Sequence, residues 1–239
     1  MQRLNHVILI HGASHGGYCW EEVAPLLRSK GYHVSTPDLP GLGADQTPIQ
    51  QISMQSYVDR VVDAVKAAGE PALLLGHSMS GAVVCAAAEV ISEQIGKLVI
   101  LAGLVLRDGE TMGEVTREFF PAFPEQPAAD GALDFDASIA AAIFYNTCTP
   151  ETANRAVTKL RRQAHAPFNA SVRITAARFG NVAKTYIVCT QDHATPVAAQ
   201  NNFSMRAPGM KRREIDTDHS PFFSDPVGLA AIIDEEAHL

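Results

Sequence analysis

A chain of 239 residues is long enough for one sizeable core, and 46% hydrophobic with 19% charged residues describe a folded globular protein rather than a disordered one. Nineteen basic against 26 acidic residues give a formal charge of -7, and no basic block exceeds Lys211-Arg212-Arg213, so nucleic acid is not an expected partner. The expectation is one domain over residues 1–239 with an inserted segment.

The first apolar run, residues 7–10, has strand length and is too short for a signal-peptide core or a membrane span. A cytoplasmic location with no membrane partner is therefore expected. A helical pattern follows over residues 20–30, then a turn-rich connection, Thr36-Pro-Asp-Leu-Pro-Gly-Leu-Gly43. Val58, Val61, Val62 and Val65 recur at helical spacing, and residues 81–90 form a small-residue helix. Further strand-length runs at 73–75, 98–102 and 186–189 lack polar alternation, as strands buried on both faces do. Strand and helix alternate, so the fold class is α/β with a mostly parallel central sheet flanked by helices.

The alternation breaks over residues 103–179, where a helix over 151–162, capped by Thr149 with Pro150 in its first turn, is predicted without a convincing strand. Seven of the ten phenylalanines lie there: Phe119, Phe120, Phe123, Phe135, Phe144, Phe168 and Phe179. The segment reads as a helical cap whose aromatics form mostly its own core, with Phe119, Phe123 and Phe144 expected to line a substrate pocket together with Gly12 and His77. Cys19, Cys85, Cys148 and Cys189 are dispersed, which indicates neither a metal site nor a disulfide framework. No metal and no organic cofactor are expected.

The strongest local signal is Gly76-His77-Ser78-Met79-Ser80-Gly81 between a buried strand and a small-residue helix. A serine at such a strand-to-helix turn is lifted clear of the sheet, where a base can reach its hydroxyl, and the Met79 amide faces developing negative charge. The usual pattern has glycine two residues after the serine; here Ser80 takes that place. The strand at 7–10 ends in His11-Gly12-Ala13, a loop able to bring the Ala13 amide to the same oxyanion, with Gly12 permitting close approach. His11 and His77 read as hydrogen-bonded structural histidines. Asp192 follows the strand at 186–189, and His219 follows a last strand near Arg213-Glu-Ile215. Ser78 as nucleophile, Asp192 as orienting acid and His219 as general base come in the chain order of α/β-hydrolases, with Asp108 as the rival acid. Asp216, Asp218 and Asp225 read as turn and cap residues.

At this point the chain resembles the plant methylesterase and hydroxynitrile lyase family of the α/β-hydrolase fold, which includes salicylate-binding methylesterases and has bacterial esterase relatives. The resemblance is carried by His11-Gly-Ala-Ser-His-Gly-Gly-Tyr-Cys-Trp20, Pro37-Asp-Leu-Pro-Gly-Leu-Gly43, the Ser78 turn, Phe144-Tyr-Asn-Thr-Cys-Thr-Pro-Glu151, Arg178-Phe-Gly-Asn-Val182 and Tyr186-Ile-Val-Cys-Thr190. It implies the triad Ser78, Asp192 and His219 and an oxyanion hole of Ala13 and Met79. Three positions separate the family's two chemistries, and Gly12, His77 and Ser220 all fall on the esterase side. The expected activity is hydrolysis of small carboxylic esters, with a small-molecule ester as partner and a homodimer left open. The alternatives are a hydroxynitrile lyase cleaving cyanohydrins and a small-molecule binding or receptor protein with slow hydrolysis.

Overall fold

The apolar runs become neighbouring strands of one parallel sheet. A computed structural model describes residues 3–119 and 127–238. In chain order its elements are β1 (His6–Ile10), α1 (Val23–Ser29), β2 (His33–Ser35), α2 (Met54–Ala68), β3 (Ala72–His77), α3 (Ser80–Ile91) and β4 (Ile95–Leu101). An insertion follows, with α4 (Met112–Phe119), β5 (Ala132–Leu133), α5 (Ala137–Phe144), α6 (Pro150–Val157) and β6 (Gln163–Ala164). The sheet resumes with β7 (Lys184–Cys189), α7 (Val197–Ser204), β8 (Lys211–Ile215), α8 (Pro221–Ser224) and α9 (Pro226–Glu236).

The six main strands run in the order β2-β1-β3-β4-β7-β8, every neighbouring pair parallel. Strand residues alternate between two apolar layers, which is why these runs show no polar alternation. Ile8, Ile10, Leu74, Leu98, Ile100 and Val188 join α2 and α3 on one face. Val7, Leu9, Leu73, Leu75, Val99 and Ile187 join Trp20, α1 and α9 on the other.

The spacing read in Val58, Val61, Val62 and Val65 is the buried stripe of α2, each buried aliphatic side chain stabilising the fold by roughly 1.5–3 kcal/mol. Ser53 and Ser56 form a reciprocal capping box at its start, and Gly69 ends it in the left-handed conformation.

Two local expectations change. The helix foreseen over 151–162 ends at Val157, although Thr149 does cap it by accepting from the Thr152 amide at 3.3 Å. The segment foreseen without strands holds the antiparallel pair of β5 and β6, each two residues long and too short to leave a pattern. Among the described residues no helix is long and apolar enough to cross a membrane.

A parallel sheet sends the C-terminal ends of its strands to one edge, and loops there gather functional groups. Ile10 pairs with Gly76, His77 with Leu101, Leu101 with Ile187, and Cys189 with Ile215. The loops bearing Ala13, Ser78, Asp192 and His219 therefore leave neighbouring strands at that edge.

Candidate active site

Ser78 sits between β3 and α3 with φ of 54°, a left-handed conformation that costs a side-chain-bearing residue roughly 1–3 kcal/mol. Three backbone hydrogen bonds hold it there. Its amide donates to the Leu101 carbonyl at 3.0 Å, and its own carbonyl accepts from the Gly81 and Leu104 amides, each at 3.0 Å. The turn is tight because α3 lies almost against β3: a Cβ on Gly76 would come within 2.5 Å of the Ser80 carbonyl oxygen. Ser78 itself is half-buried, whereas its chain neighbours His77 and Met79 are buried.

Ser80, the departure from the usual glycine, is fully buried, and its hydroxyl donates to the His11 carbonyl. It fits because that hydroxyl finds an acceptor in the adjacent loop, which ties the start of α3 to the end of β1.

The loops after β7 and β8 run side by side. The Thr190 amide donates to the Ile215 carbonyl at 3.0 Å, and the Gln191 amide to the Thr217 carbonyl at 2.9 Å. This pairing brings His219 Nδ1–H to Asp192 Oδ2 at 2.7 Å, with both side chains buried. The carboxylate accepts further bonds from the Ala194 and Thr195 amides, both at 2.7 Å, and from Gln200 Nε2 at 3.1 Å. Asp108, the rival acid, is exposed and accepts from the Ile174 amide at 2.8 Å, so the histidine's partner is Asp192. Asp216 accepts from Thr190, and Asp225 caps α9 through the Gly228 amide, as turn and cap residues do.

Because Nδ1–H is given to Asp192, the lone pair of His219 is carried by Nε2. The His219 side-chain hydrogen bond is the one to Asp192, and none joins it to Ser78 Oγ among the described residues. The two residues are linked through His77, whose Nε2–H donates to the His219 carbonyl at 2.8 Å and whose ring centroid lies 4.6 Å from that of His219.

His11 and His15 are also neutral and locked in one tautomer. His11 donates from Nδ1 to the Gly12 carbonyl at 2.9 Å and accepts the Leu39 amide on Nε2 at 3.0 Å. His15 donates from Nδ1 to the Ala13 carbonyl at 2.6 Å and accepts the Tyr145 hydroxyl on Nε2 at 2.7 Å. Burial is the main reason their pKa values fall, to about 4 for His11 and about 3 for His15, and it pushes His77 well down too.

A Cβ on Gly12 would lie 2.9 Å from Ser78 Cβ and 3.0 Å from His77 Nδ1, so only glycine lets this loop approach the serine so closely. Outside the regular elements, neither the Ala13 nor the Met79 amide donates to a backbone carbonyl among the described residues. Phe144 stands over the histidine, its ring centroid 5.8 Å from that of His219. Phe119 instead packs on Phe203 at 5.3 Å under the Arg206 guanidinium. Phe123 lies outside the described residues. Residues that sequence reasoning did not single out include Gln200, Tyr145 and Gln163. Gln163 accepts the Ser14 amide at 3.1 Å and donates to the Tyr57 hydroxyl at 3.0 Å. Tyr145 lay within the Phe144-to-Glu151 motif; Gln200 and Gln163 left no local signal.

Strand order, the strand-to-helix turn at Ser78 and the histidine-carboxylate pair meet at one edge of a parallel α/β scaffold of the α/β-hydrolase type. The chain belongs to the alpha/beta hydrolase family, whose model matches residues 7–232. It is 29% identical over 98% of its length to putative methylesterase 11, chloroplastic, of Arabidopsis thaliana, of which it spans 64%. It is 28% identical to salicylic acid-binding protein 2 of Nicotiana tabacum, with 100% of this chain and 99% of that one covered. Among solved structures it resembles a pyrethroid hydrolase from Sphingobium faniae JZ-2, at 26% identity and a TM-score of 0.83, covering 98% of this chain and 97% of the other.

Proposed function

We propose that the protein hydrolyses small carboxylic esters through a covalent acyl-enzyme on Ser78. The observation that carries this reading is the 2.7 Å bond from His219 Nδ1–H to Asp192 Oδ2. A carboxylate on one side of the imidazole leaves a basic nitrogen on the other and stabilises the imidazolium that forms.

Ser78 Oγ attacks the ester carbonyl while its proton passes to His219 Nε2. The carbonyl oxygen becomes an oxyanion, received by the Ala13 and Met79 amides. The intermediate collapses as His219 returns the proton to the alkoxide, which leaves as an alcohol. Water then attacks the acyl-enzyme, again giving its proton to His219, and the acid departs with Ser78 restored. The insertion acts as a cap, its Phe144 sheltering the reacting bond beside His219. Relatives named as a putative methylesterase and a pyrethroid hydrolase support an ester substrate.

Cleavage of a cyanohydrin expels cyanide as an anion and needs a cation to receive it. The residue after His219 is Ser220, buried and neutral, which favours the ester reading. A short-chain p-nitrophenyl ester and mandelonitrile offered side by side test the reaction type. The expected result is steady hydrolysis of the ester with mandelonitrile cleaved at the uncatalysed rate, and the reverse pattern would contradict the proposal.

A further inference from the structure

Three consecutive residues in the turn after α5 reach three different loops at the C-terminal edge of the sheet. The Tyr145 hydroxyl donates to Nε2 of His15, whose Nδ1–H in turn holds the Ala13 carbonyl. Asn146 Nδ2 donates at 2.9 Å to the carbonyl of Gln191, the residue before Asp192. The Thr147 amide donates at 2.9 Å to Oδ2 of Asp218, the residue before His219, and the Asp218 amide donates back to Thr147 Oγ1 at 3.3 Å. We propose that Tyr145, Asn146 and Thr147 are positioning residues that register the oxyanion, acid and base loops against one another, so that the seating of the insertion sets the rate of the chemical step.

The inference rests on the ester-hydrolase reading above and extends it to residues that touch neither the nucleophile nor its base. Each loop is anchored by its own strand, and loops are the parts of a fold that open at least cost. Ester attack requires all three to agree, since a displacement of about 1 Å can cost on the order of 10²-fold in rate.

The Tyr145 bond is the most constrained. His15 is buried and its Nδ1–H is committed to Ala13, so Nε2 can only accept, and the Tyr145 hydroxyl is the donor that satisfies it. The tyrosine ring is held by packing, with the Phe144 and Phe223 centroids each 6.0 Å away. Removing the hydroxyl alone therefore leaves the ring in place and an acceptor unpaired beside the Ala13 loop.

Deletions of single side-chain hydrogen-bonding groups separate positioning from folding. Tyr145→Phe deletes one donor, Asn146→Ala deletes another, and Thr147→Val deletes the acceptor while keeping the backbone bond. The full-length chain, these variants, their triple combination and Ser78→Ala are compared for kcat and KM on p-nitrophenyl acetate and butyrate across pH, with thermal unfolding alongside. Each single change is expected to lower kcat by about three- to tenfold on both esters with KM nearly unchanged, and the triple by about 10²-fold. A folded triple variant with kcat within about twofold of the unaltered chain, or losses confined to KM, would overturn the proposal. If the triple does not fold, the kcat values of the single variants decide by the same rule. Turnover surviving in Ser78→Ala would instead overturn the ester-hydrolase reading on which the proposal stands.

Discussion

The Nε2–H of His77 donates to the carbonyl oxygen of His219 at 2.8 Å, so the residue before Ser78 holds the backbone of the proposed base. Both residues are buried, and the carbonyl would otherwise lack this donor. His77→Leu is expected to lower kcat by about tenfold or more with a smaller change in KM, because a lost bond to a buried carbonyl is worth on the order of 1–3 kcal/mol. His77→Glu, which at neutral pH sets a carboxylate oxygen against a carbonyl oxygen, should be slower still. Steady-state kinetics on a p-nitrophenyl ester, with circular dichroism to verify folding, would reveal either effect. Unchanged kcat in both variants would show that this contact does not govern the base.

Asp192 and Asp108 offer a controlled comparison, since only Asp192 accepts from His219. Asp192→Asn should reduce kcat by up to about 10⁴-fold, the scale set by the serine-protease template, because an amide neither fixes the same tautomer nor stabilises imidazolium. Asp108→Asn keeps an oxygen for the Ile174 amide and should leave kcat within about twofold, as exposed substitutions usually do. A larger loss at Asp108 than at Asp192 would refute the assignment of the acid.

Gly12→Thr tests how close the loop after β1 must come to Ser78. With the new Cβ 2.9 Å from Ser78 Cβ and 3.0 Å from His77 Nδ1, something must shift, and neither has much freedom: Ser78 Cβ is fixed by its backbone, and the buried His77 ring is held by its bond to the His219 carbonyl. Ester hydrolysis should fall by about tenfold or more through kcat. Activity equal to that of the unaltered chain would mean the loop has room that the geometry denies.

Stability should weaken on mild acidification. His11, His15 and His77 are held neutral by burial, His11 at about 4 and His15 at about 3 against an ordinary 6.5. Above pH 6.5 neither the folded nor the unfolded chain protonates them, so their full contribution is present. Below it the unfolded chain binds protons that the folded chain refuses, and stability falls until the folded values are reached. Each such histidine removes about 1.4 kcal/mol per pH unit inside its window, so three together give a slope of up to about 4 kcal/mol per unit. Unfolding temperatures followed downward from neutrality should therefore drop steeply, and a flat profile through this window would contradict the buried neutral assignment.

The local chain geometry of the candidate site is legible in the sequence: a buried strand and a small-residue helix flank Ser78, and a strand precedes His219, as the structure also has them. The α2 stripe was equally plain because one face of a long helix repeats its signal over several turns. The β5–β6 pair was not, since two residues cannot display a period. Gln200, Tyr145 and Gln163 are hidden for another reason: their side-chain hydrogen bonds, four for Gln200, three for Gln163 and one for Tyr145, go mostly to partners that tertiary folding brings near. Ser80 shows the limit from the other side. Its departure from glycine was visible, but its acceptor, the His11 carbonyl, belongs to a different strand end.

The central claim, that Ser78 is the attacking group, is tested most directly by the turnover of Ser78→Ala on a short-chain p-nitrophenyl ester. The side chain lies half-exposed at a turn that backbone hydrogen bonds hold in place, so the variant should fold with an unfolding temperature close to that of the unaltered protein. Its kcat is expected to fall by a factor on the order of 10⁶, by analogy with removal of the nucleophile from a serine protease. Retention of more than about a tenth of the original rate would contradict the account, because no mechanism built on a serine nucleophile survives its removal so lightly.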